Sequence, residues 1–442
     1  MTTGQHVHLV GVAGVGMNPL AQALVAAGAQ VSGSDRYLDT GHELDVLPKL
    51  RRVGVRLVAQ DGSGVGPATA AVVVSTAIEA GNPDLEAAAR HGVPIVHRAQ
   101  MLARLLEGTE CIAVTGTSGK TTVTGMVGYL LEQLGDDPTV VNGGIVANWE
   151  TPDVVGNVRA GSSRRWVVEA DESDRSLLHF TPDWAIITNI SADHFPLDDT
   201  VALFEQFAAR VKKGIVGPGD ERAPWRTFEP VLSPDGCTFA YAGQEFRLPL
   251  LGRHNAENAL QAVVLCERLG HPLGRIAKAL ATFRGIRRRL DVAGRAAGVT
   301  VIDDYAHNPA KIRAAWQAVA PHYARVLVAW RPHGFGPLAK MFTDLGALFR
   351  EMGGTCPHIA ILPVYYVGGT ATASVTAEAL VAEAAREGAP VELAPDYDAL
   401  IAATAERARP GDVVLSMGAR DPELPALARR IVKALNAPSS GS

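Results

Sequence analysis

The sequence predicts an α/β protein built from three domains. The chain has 442 residues, which exceeds the size at which a single hydrophobic core keeps growing. Near both ends, apolar segments typical of buried parallel strands alternate with helical segments. Between them, residues 111–122 contain a strand, a glycine loop and a helix in succession. We therefore predict a parallel-sheet domain in the middle of the chain, with a doubly wound domain on either side.

The N-terminal segment begins with a βαβ unit that has a glycine-rich first turn. An apolar strand is followed by the glycine turn 11–17, by a helix and by a second strand that leads to Asp35. Glycines let a pyrophosphate approach a helix N-terminus, and an acidic residue after the second strand is placed to meet a ribose. Two further strands are expected near 71–76 and 93–96. This pattern predicts a Rossmann-like domain over residues 1–107.

The segment Cys111–Thr122 is the most informative part of the chain. Its strand leads into Thr-Gly-Thr-Ser-Gly-Lys-Thr-Thr, where the loop amides and the following helix N-terminus face an anion. Lys120 adds a point charge, and the hydroxyl of Thr121 is a candidate Mg²⁺ ligand. The first glycine, Gly116, comes two positions later than in the standard G-x-x-x-x-G-K-[ST] pattern. The loop predicts a nucleotide site in a domain over 108–285, and the alternative is an ordinary strand-to-helix turn.

Two polar clusters follow predicted strands of the same domain. One is Glu169-Ala-Asp-Glu-Ser-Asp174, and the other is Asn189-Ile-Ser-Ala-Asp-His194. The carboxyl ends of parallel strands beside a phosphate loop are where Mg²⁺ ligands are needed, because the cation must bridge phosphate oxygens. The alternative is a solvated acidic loop after each strand.

The last segment alternates strands and helices with short turns from about residue 284 to 416. This pattern predicts a third domain, of the α/β class, over 286–438. A small antiparallel hairpin region is expected around 239–248, followed by a helix over 255–269. Residues 439–442 are predicted to form a flexible tail.

Composition excludes several classes of protein. The apolar fraction of 47% and the net charge of −5 predict a globular chain with no general attraction to nucleic acid or anionic membranes. The four cysteines are far apart, which argues against a zinc site and a disulfide framework. We find neither a signal segment nor a run of about 18 apolar residues. We expect a cytoplasmic protein, either a monomer or a homodimer, that acts on small molecules.

In their order along the chain, these motifs resemble the Mur ligase family, and most closely its UDP-N-acetylmuramate:L-alanine ligase branch. The matching motifs are 11–17, 31–35, 72–78, 94–102, 115–122, 169–174, 188–194, 252–258, 287–289, 303–309 and 331–333. The resemblance implies an N-terminal Rossmann-like UDP-binding domain, a central P-loop ATPase-like domain and a C-terminal Rossmann-like α/β domain. It also implies an ATP-dependent acid:amine ligase of peptidoglycan synthesis, in which ATP converts a carboxylate to an acyl phosphate that an amine attacks.

The resemblance also assigns roles to individual residues. The catalytic residues would be Lys120, Glu169, His194 and Arg288. ATP would be bound by Gly116, Thr117, Ser118, Gly119, Lys120, Thr121, Thr122, His254, Asn255, Asn258, Asp304, Tyr305 and His307. The UDP-linked substrate would be bound by Gly11, Gly14, Val15, Gly16, Met17, Ser34, Asp35, Ser75 and Thr76. Two Mg²⁺ ions would be held by Thr121, Glu169 and His194. For Asn255, the alternative is an N-cap of the helix that follows.

The chain departs from the branch in the part that would receive the amine. The branch has arginines where this chain has Gly334 and Pro337, and a histidine in the phosphate loop where this chain has Ser118. An arginine fork is a natural partner for the carboxylate of an amino acid. His333 and Arg420 are the remaining candidates for amine contact. The identity of the amine, and whether the carboxylate is UDP-N-acetylmuramate, are left open.

Other functions fit parts of the same pattern. A murein tripeptide-recycling ligase and a Mur-like ligase outside cell-wall synthesis share most of the motifs. An NAD(P)-dependent dehydrogenase would explain the glycine turn and Asp35, but it leaves the phosphate loop unexplained. A non-catalytic P-loop binding protein would explain the phosphate loop but not the acidic clusters or the third domain.

Overall fold

The computed structural model describes residues 4–41, 44–191, 195–218, 220, 227–366 and 375–436. The chain divides into two compact units. Unit one comprises Met1–Pro230, Thr238–Pro249 and His254–Ile286, and unit two comprises Val231–Cys237, Leu250–Arg253 and Arg287–Ser442. Of the residues predicted to be functional, His194 lies outside the described part of the chain, as does the tail 439–442.

The first sheet of unit one has five parallel strands in the order β3-β2-β1-β4-β5. Its strands are β1 (His6–Val10), β2 (Gln30–Ser34), β3 (Arg56–Val58), β4 (Thr69–Val74) and β5 (Ile95–His97). Its helices are α1 (Asn18–Ala26), α2 (Arg36–Asp39), α3 (Val46–Arg52), α4 (Pro83–His91) and α5 (Arg98–Leu105). The strand order reverses between β1 and β4, and open α/β sheets bind ligands at the carboxyl ends of the strands at such a point.

The second sheet of unit one has six strands in the order β11-β10-β6-β9-β7-β8. The strands are β6 (Glu110–Thr115), β7 (Thr139–Val141), β8 (Val158–Arg159), β9 (Arg165–Glu169), β10 (Trp184–Ile187) and β11 (Gly214–Val216). Only the β7–β8 pair is antiparallel. The helices of this region are α6 (Lys120–Leu134), α7 (Leu197–Ala208), α8 (Arg253–Arg268) and α9 (Leu273–Leu280), with a 3₁₀ turn at Ser176–His179. A separate small sheet contains β12 (Val231–Ser233), β13 (Gly236–Tyr241) and β14 (Gln244–Leu248).

Strand β6 is central in this sheet because β9 and β10 pair with it on either side. Its residues Cys111–Val114 are buried on both faces, which explains why the strand is continuously apolar. Helix α6 follows directly and is almost entirely buried. The loop between β6 and α6 therefore lies at the carboxyl edge of the sheet, beside the ends of β9 and β10.

Unit two contains a mixed six-stranded sheet in the order β15-β16-β20-β17-β18-β19. The strands are β15 (Asp291–Ala296), β16 (Val299–Asp304), β17 (Val326–Arg331), β18 (His358–Ile361), β19 (Val391–Leu393) and β20 (Val413–Gly418). The helices are α10 (Pro309–Val319), α11 (Phe335–Met352), α12 (Ala377–Arg386), α13 (Tyr397–Arg407) and α14 (Leu424–Leu435), with a 3₁₀ turn at Ala320–His322. Apart from the antiparallel hairpin β15–β16, the pairs are parallel. Apolar clusters cover both faces of the sheet.

The predicted α/β class with parallel-sheet domains is confirmed. One alternative is wrong: Asn255 does not cap α8, because the helix begins two residues earlier at Arg253 and Asn255 is buried within its first turn. Within the described parts of the chain, no helix is long and apolar enough to cross a membrane.

Candidate functional site

The phosphate loop between β6 and α6 is held in shape by the loop that follows β10. The amide of Ser118 donates to the side chain of Asn189, and its carbonyl accepts bonds from the side chains of Thr188 and Asn189. The hydroxyl of Thr117 donates to the carbonyl of Ser191. Gly116 has a φ of +129°, and a Cβ there would collide with the hydroxyl of Thr188. Only glycine therefore allows the two loops to approach this closely.

The charge of Lys120 is directed at a buried carboxylate. Its Nζ lies 2.6 Å from Oε2 of Glu172 and 3.0 Å from the carbonyl oxygen of Gly116. Glu172 is only 2% exposed, and burial raises its pKa even though the ammonium of Lys120 opposes that shift. Glu172 belongs to the acidic cluster after β9. The phosphate loop and this cluster therefore form one site.

Thr121 and Glu169 are brought together as neighbouring oxygen donors. The hydroxyl of Thr121 donates to Oε1 of Glu169 at 3.0 Å, and the amide of Gly143 donates to Oε2 at 2.8 Å. A Cβ at Gly143 would lie 2.6 Å from that second oxygen, so the absence of a side chain there makes room for the carboxylate. Glu169 is thus fixed at the end of β9, beside the first turn of α6.

A hydroxyl and a carboxylate are hard oxygen donors, which suit Mg²⁺. Among the residues that the structure describes, no group of three or more His, Cys, Asp and Glu side chains is placed to hold a metal ion. Mg²⁺ commonly takes one or two protein ligands and completes its shell with water and substrate phosphates. The pair Thr121 and Glu169 fits that pattern. His194, the third expected ligand, is outside the described residues.

Helix α8 supports the phosphate loop from the side. Asn258 is 6% exposed, and a Cβ at Gly119 would lie 2.7 Å from its Oδ1 atom. Three residues further along α8, Gln261 donates to the carbonyl of Thr188 at 2.8 Å. The structure therefore places Asn258 against the phosphate loop. His254 lies at the exposed start of the helix.

The glycine turn after β1 is fixed by the end of β2. The amides of Gly11 and Val12 both donate to the carbonyl of Ser34 at 2.9 Å. Asp35 is buried, and its carboxylate accepts bonds from the amides of Ala13 at 2.9 Å and Tyr37 at 3.1 Å. One acidic side chain therefore holds the turn and caps α2, while the tip of the turn stays exposed.

Ser34 is the last residue of β2 and so lies at the carboxyl edge of the sheet, but its side chain does not face the glycine turn as the sequence-based assignment would require. Its side chain is fully buried and donates to Asp84, which also accepts a bond from the amide of Gly62 at 3.0 Å and lies 3.3 Å from Nε2 of His8. Side chains alternate along a strand, and Ser34 points into this polar network instead. The other residues expected to bind the UDP-linked substrate lie in three places: the glycine turn (Gly11, Gly14, Val15, Gly16, Met17), the position after β2 (Asp35), and the positions just after β4 (Ser75, Thr76).

In unit two, the predicted ATP-contacting residues surround the end of β16. Asp304 accepts bonds from the amides of Leu290 and Ala306, both at 2.8 Å, and so shapes the turns on either side of it. The guanidinium of Arg288 pairs with Asp303 at 3.2 Å and lies over the ring of Tyr305. Arg288 has a φ of +62°, a strained value for a residue with a side chain.

His333, a candidate for amine contact, lies against His307, which the resemblance assigns to ATP. Their rings are 5.2 Å apart in an edge-to-face arrangement, and Nδ1 of His307 is 2.9 Å from the carbonyl oxygen of Tyr305. Burial lowers the pKa of each ring to about 4, and the positive charge of Arg420 adds to that effect at His333. Both rings are therefore neutral at physiological pH. Arg420 is exposed and has a φ of +65°.

Sequence reasoning missed three contributors to the site in unit one. Glu172 and Asn189 stood inside motifs that were recognised, but their individual contacts with the phosphate loop depend on how the loops fold back. Arg98 begins α5, directly after β5 of the first sheet, and contacts Asp171 and Asp174 in the loop after β9 of the second sheet. No spacing in the sequence indicates this contact, because 73 or more residues separate the partners.

Comparison with known proteins agrees with this architecture. Family models match residues 6–109 (Mur ligase family, catalytic domain), 114–209 (Mur ligase middle domain) and 288–420 (Mur ligase, glutamate ligase domain). The chain is 35% identical to the UDP-N-acetylmuramate–L-alanine ligase of Rhizobium meliloti, over 93% of each chain. It is 34% identical to the enzyme of the same name from Streptomyces avermitilis, over 94% of each.

Solved structures show the same arrangement of elements. The UDP-N-acetylmuramate–alanine ligase of Thermotoga maritima matches with a TM-score of 0.79 and 25% identity, covering 97% of this chain and 98% of that one. A murein peptide ligase of Psychrobacter arcticus matches with a TM-score of 0.64 and 22% identity, covering 99% and 100%. From the identity to full-length relatives and the three family models, the chain belongs to the Mur ligase family of ATP-dependent, amide-forming ligases.

Proposed function

We propose that this ligase joins an amine to the carboxylate of UDP-N-acetylmuramate, with cleavage of ATP to ADP and phosphate. The observation that carries the proposal is the grouping of Lys120, Thr121 and Glu169 at the ends of two paired parallel strands. This grouping provides a cation, a hydroxyl and a carboxylate around one loop of backbone amides. Relatives of 35% and 34% identity are named for UDP-N-acetylmuramate and L-alanine, which supports the same carboxylate here.

In the proposed reaction, the loop amides from Gly116 to Thr122 and the ammonium of Lys120 hold the terminal phosphates of ATP. Thr121 and Glu169, with His194, would hold Mg²⁺, which neutralises charge between phosphate and carboxylate. Neutralisation matters because the substrate carboxylate must approach an anionic phosphate. Attack of the carboxylate oxygen on the γ-phosphorus forms an acyl phosphate and releases ADP. The amine then attacks the acyl carbon, and inorganic phosphate leaves.

We assign the UDP-linked substrate to the first sheet. The glycine turn, the N-terminus of α1 and the polar residues after β4 lie at the carboxyl edge of that sheet, where such ligands bind. We place the domain boundaries at 1–107, 108–285 and 286–438. ATP and UDP-linked precursors are both cytoplasmic metabolites, so we locate the reaction in the cytoplasm, with the ligase acting as a monomer or homodimer.

We assign the amine to the region of His333 and Arg420 in unit two. Two neutral imidazole rings suit an uncharged amine nucleophile. The exposed guanidinium of Arg420 is available for a carboxylate. With the amine that supports turnover, Arg420→Ala should raise its KM about 10-fold or more if that amine carries a carboxylate. An unchanged KM would show that Arg420 does not contact the amine substrate.

The deciding experiment measures phosphate release with ATP, Mg²⁺ and UDP-N-acetylmuramate over a panel of amino acids, peptides and simple amines. We expect release that depends on both the UDP-linked substrate and one class of amine. UDP-N-acetylglucosamine, which lacks the lactyl carboxylate, is the matched control and should give no release. Absence of release with every amine would refute UDP-N-acetylmuramate as the carboxylate substrate.

A further inference from the structure

Arg98 links the two sheets of unit one through a shared guanidinium. It is the first residue of α5, directly after β5, and so stands at the carboxyl edge of the five-stranded sheet. Its Nη2 donates to Oδ2 of Asp171 at 3.3 Å and to Oδ2 of Asp174 at 3.2 Å. Both carboxylates belong to the loop of residues 170–175 after β9, hereafter the acidic loop. Two carboxylates on one nitrogen fix the plane of the guanidinium.

The other side of the same guanidinium faces the glycine turn. A Cβ at Gly16 would lie 3.4 Å from Nη1 of Arg98 and 3.5 Å from its Cδ and Cζ atoms. The Arg98 side chain therefore packs along the backbone of the turn, with Nη1 nearest to Gly16. A guanidinium carries five N–H donors, and the two contacts with the acidic loop use only Nη2. Donors remain for an anion seated on the turn.

The turn that Arg98 faces is fastened to the central sheet by neutral amide groups. Asn18, at the start of α1, donates to the carbonyls of Ala13 and Gly14, at 3.3 and 3.0 Å. Asn157 donates to Asn18 at 2.6 Å, and Gln22 donates to Asn157 at 2.9 Å, all three side chains being buried. The distance between the turn and the acidic loop is thus set independently of Arg98. Arg98 contributes a charge at a position that the amides already fix.

The acidic loop is also neutralised from its other side. Nζ of Lys120 lies 2.6 Å from Oε2 of Glu172, so the acidic loop is held by a cation on that side as well. This pairing helps to fix the loop that carries Asp171 and Asp174, the two carboxylates that orient Arg98.

We propose that Arg98 binds the diphosphate of the UDP-linked substrate, oriented for that contact by Asp171 and Asp174 of the central domain. This inference rests on the proposed function, because it takes the glycine turn as the diphosphate site. The turn amides and the N-terminus of α1 would contact the diphosphate from one side, and Nη1 of Arg98 from the other. The diphosphate would then be bound by groups that both sheets hold in place.

The test compares UDP with uridine as probes, measured by calorimetry or by ligand-observed NMR. Wild type should bind UDP more tightly than uridine. We expect Arg98→Met to weaken UDP binding by about 10- to 100-fold while changing uridine binding less than about 3-fold, since only UDP carries the diphosphate. Arg104→Met is the matched control, because Arg104 is exposed on the same helix, and it should leave both affinities unchanged. General damage to the domain would weaken uridine and UDP alike.

The possible outcomes separate the inference from the function on which it rests. If wild type binds UDP and Arg98→Met binds it equally well, the role of Arg98 is refuted while the UDP site stands. If Arg98→Met weakens uridine as much as UDP, Arg98 is structural and the inference is wrong. If wild type binds neither UDP nor UDP-N-acetylmuramate, the proposed function fails and the inference fails with it. Partial recovery of UDP binding in Arg98→Lys would support a charge contact.

Discussion

The ammonium of Lys120 lies 2.6 Å from the carboxylate of Glu172. In this arrangement the lysine of the phosphate loop is paired with a buried acid from the end of the neighbouring strand β9. A triphosphate carries more negative charge than one carboxylate, so we expect Lys120 to exchange Glu172 for phosphate oxygens when nucleotide binds. The pairing with Glu172 therefore holds the ammonium of Lys120 within the phosphate-binding site before ATP binds.

Replacement of Lys120 by methionine should abolish turnover without affecting the first sheet. Methionine keeps much of the apolar length of lysine but removes the charge that faces the phosphates, and loss of one such group costs about 10²- to 10³-fold in kcat. Phosphate release measures turnover, and UDP binding reports on the first sheet. Lys278→Met, at an exposed position of α9, is the control. Turnover within 10-fold of wild type in Lys120→Met would contradict the assigned role.

Gly143→Ala should impair the use of Mg²⁺ although it changes no ligand. The added Cβ would lie 2.6 Å from Oε2 of Glu169, so the carboxylate must move away from the amide that orients it. We expect the Mg²⁺ concentration for half-maximal phosphate release to rise about 10-fold, in the range seen when a partner of a metal ligand is removed. Gly66→Ala, where the added methyl group meets open space, is the control. An unchanged Mg²⁺ requirement would argue against Glu169 as a ligand.

Asp84→Ala should strongly destabilise the five-stranded sheet. Asp84 is fully buried and accepts bonds from Ser34 and Gly62 beside the ring of His8, so its removal leaves buried donors without an acceptor. We expect a loss of about 3 kcal/mol or more in the free energy of unfolding. Hydrogen exchange of peptides from β1 and β2, measured in urea, reports on the stability of the five-stranded sheet. The control is Glu86→Gln, at an exposed position of the same helix. Equal protection from hydrogen exchange in the two variants would disprove the prediction.

The two neutral histidines predict a pH dependence for the stability of unit two. Burial lowers the pKa of His307 and His333 to about 4, against an ordinary value of 6.5 in the unfolded chain. Between these values the unfolded chain takes up protons that the folded unit does not, so the free energy of unfolding falls as pH drops from about 6.5 towards 4. Each ring contributes at most about 1.4 kcal/mol per pH unit.

Histidine Cε1–H chemical shifts followed by NMR provide the direct check on this pair. We expect two rings that titrate near pH 4, and a shallower pH dependence of stability in His333→Gln. Titration of both rings near pH 6.5 in the folded protein would contradict the prediction.

Most of the fold was predictable because its signals are local. Continuous apolar runs identified the buried strands of the parallel sheets, and glycines after β1 and β6 marked the turns where phosphate-binding loops begin. The family resemblance assigned Thr121 and Glu169 to one Mg²⁺, and the structure places their side chains within hydrogen-bond distance of each other. Strand boundaries and the start of α8 were less accurate, because the ends of elements depend on tertiary packing.

The sequence by itself determined the α/β class, the phosphate loop and the membership of a ligase family, since these depend on residue types in local order. Only the tertiary structure decided which way individual side chains point. The side chain of Ser34 bonds to buried Asp84, and that of Asn258 packs against the phosphate loop. Arg98 contacts Asp171 and Asp174. These contacts join segments far apart in the chain. Their partners are chosen by packing and by the need to satisfy buried charge, and no local pattern encodes either.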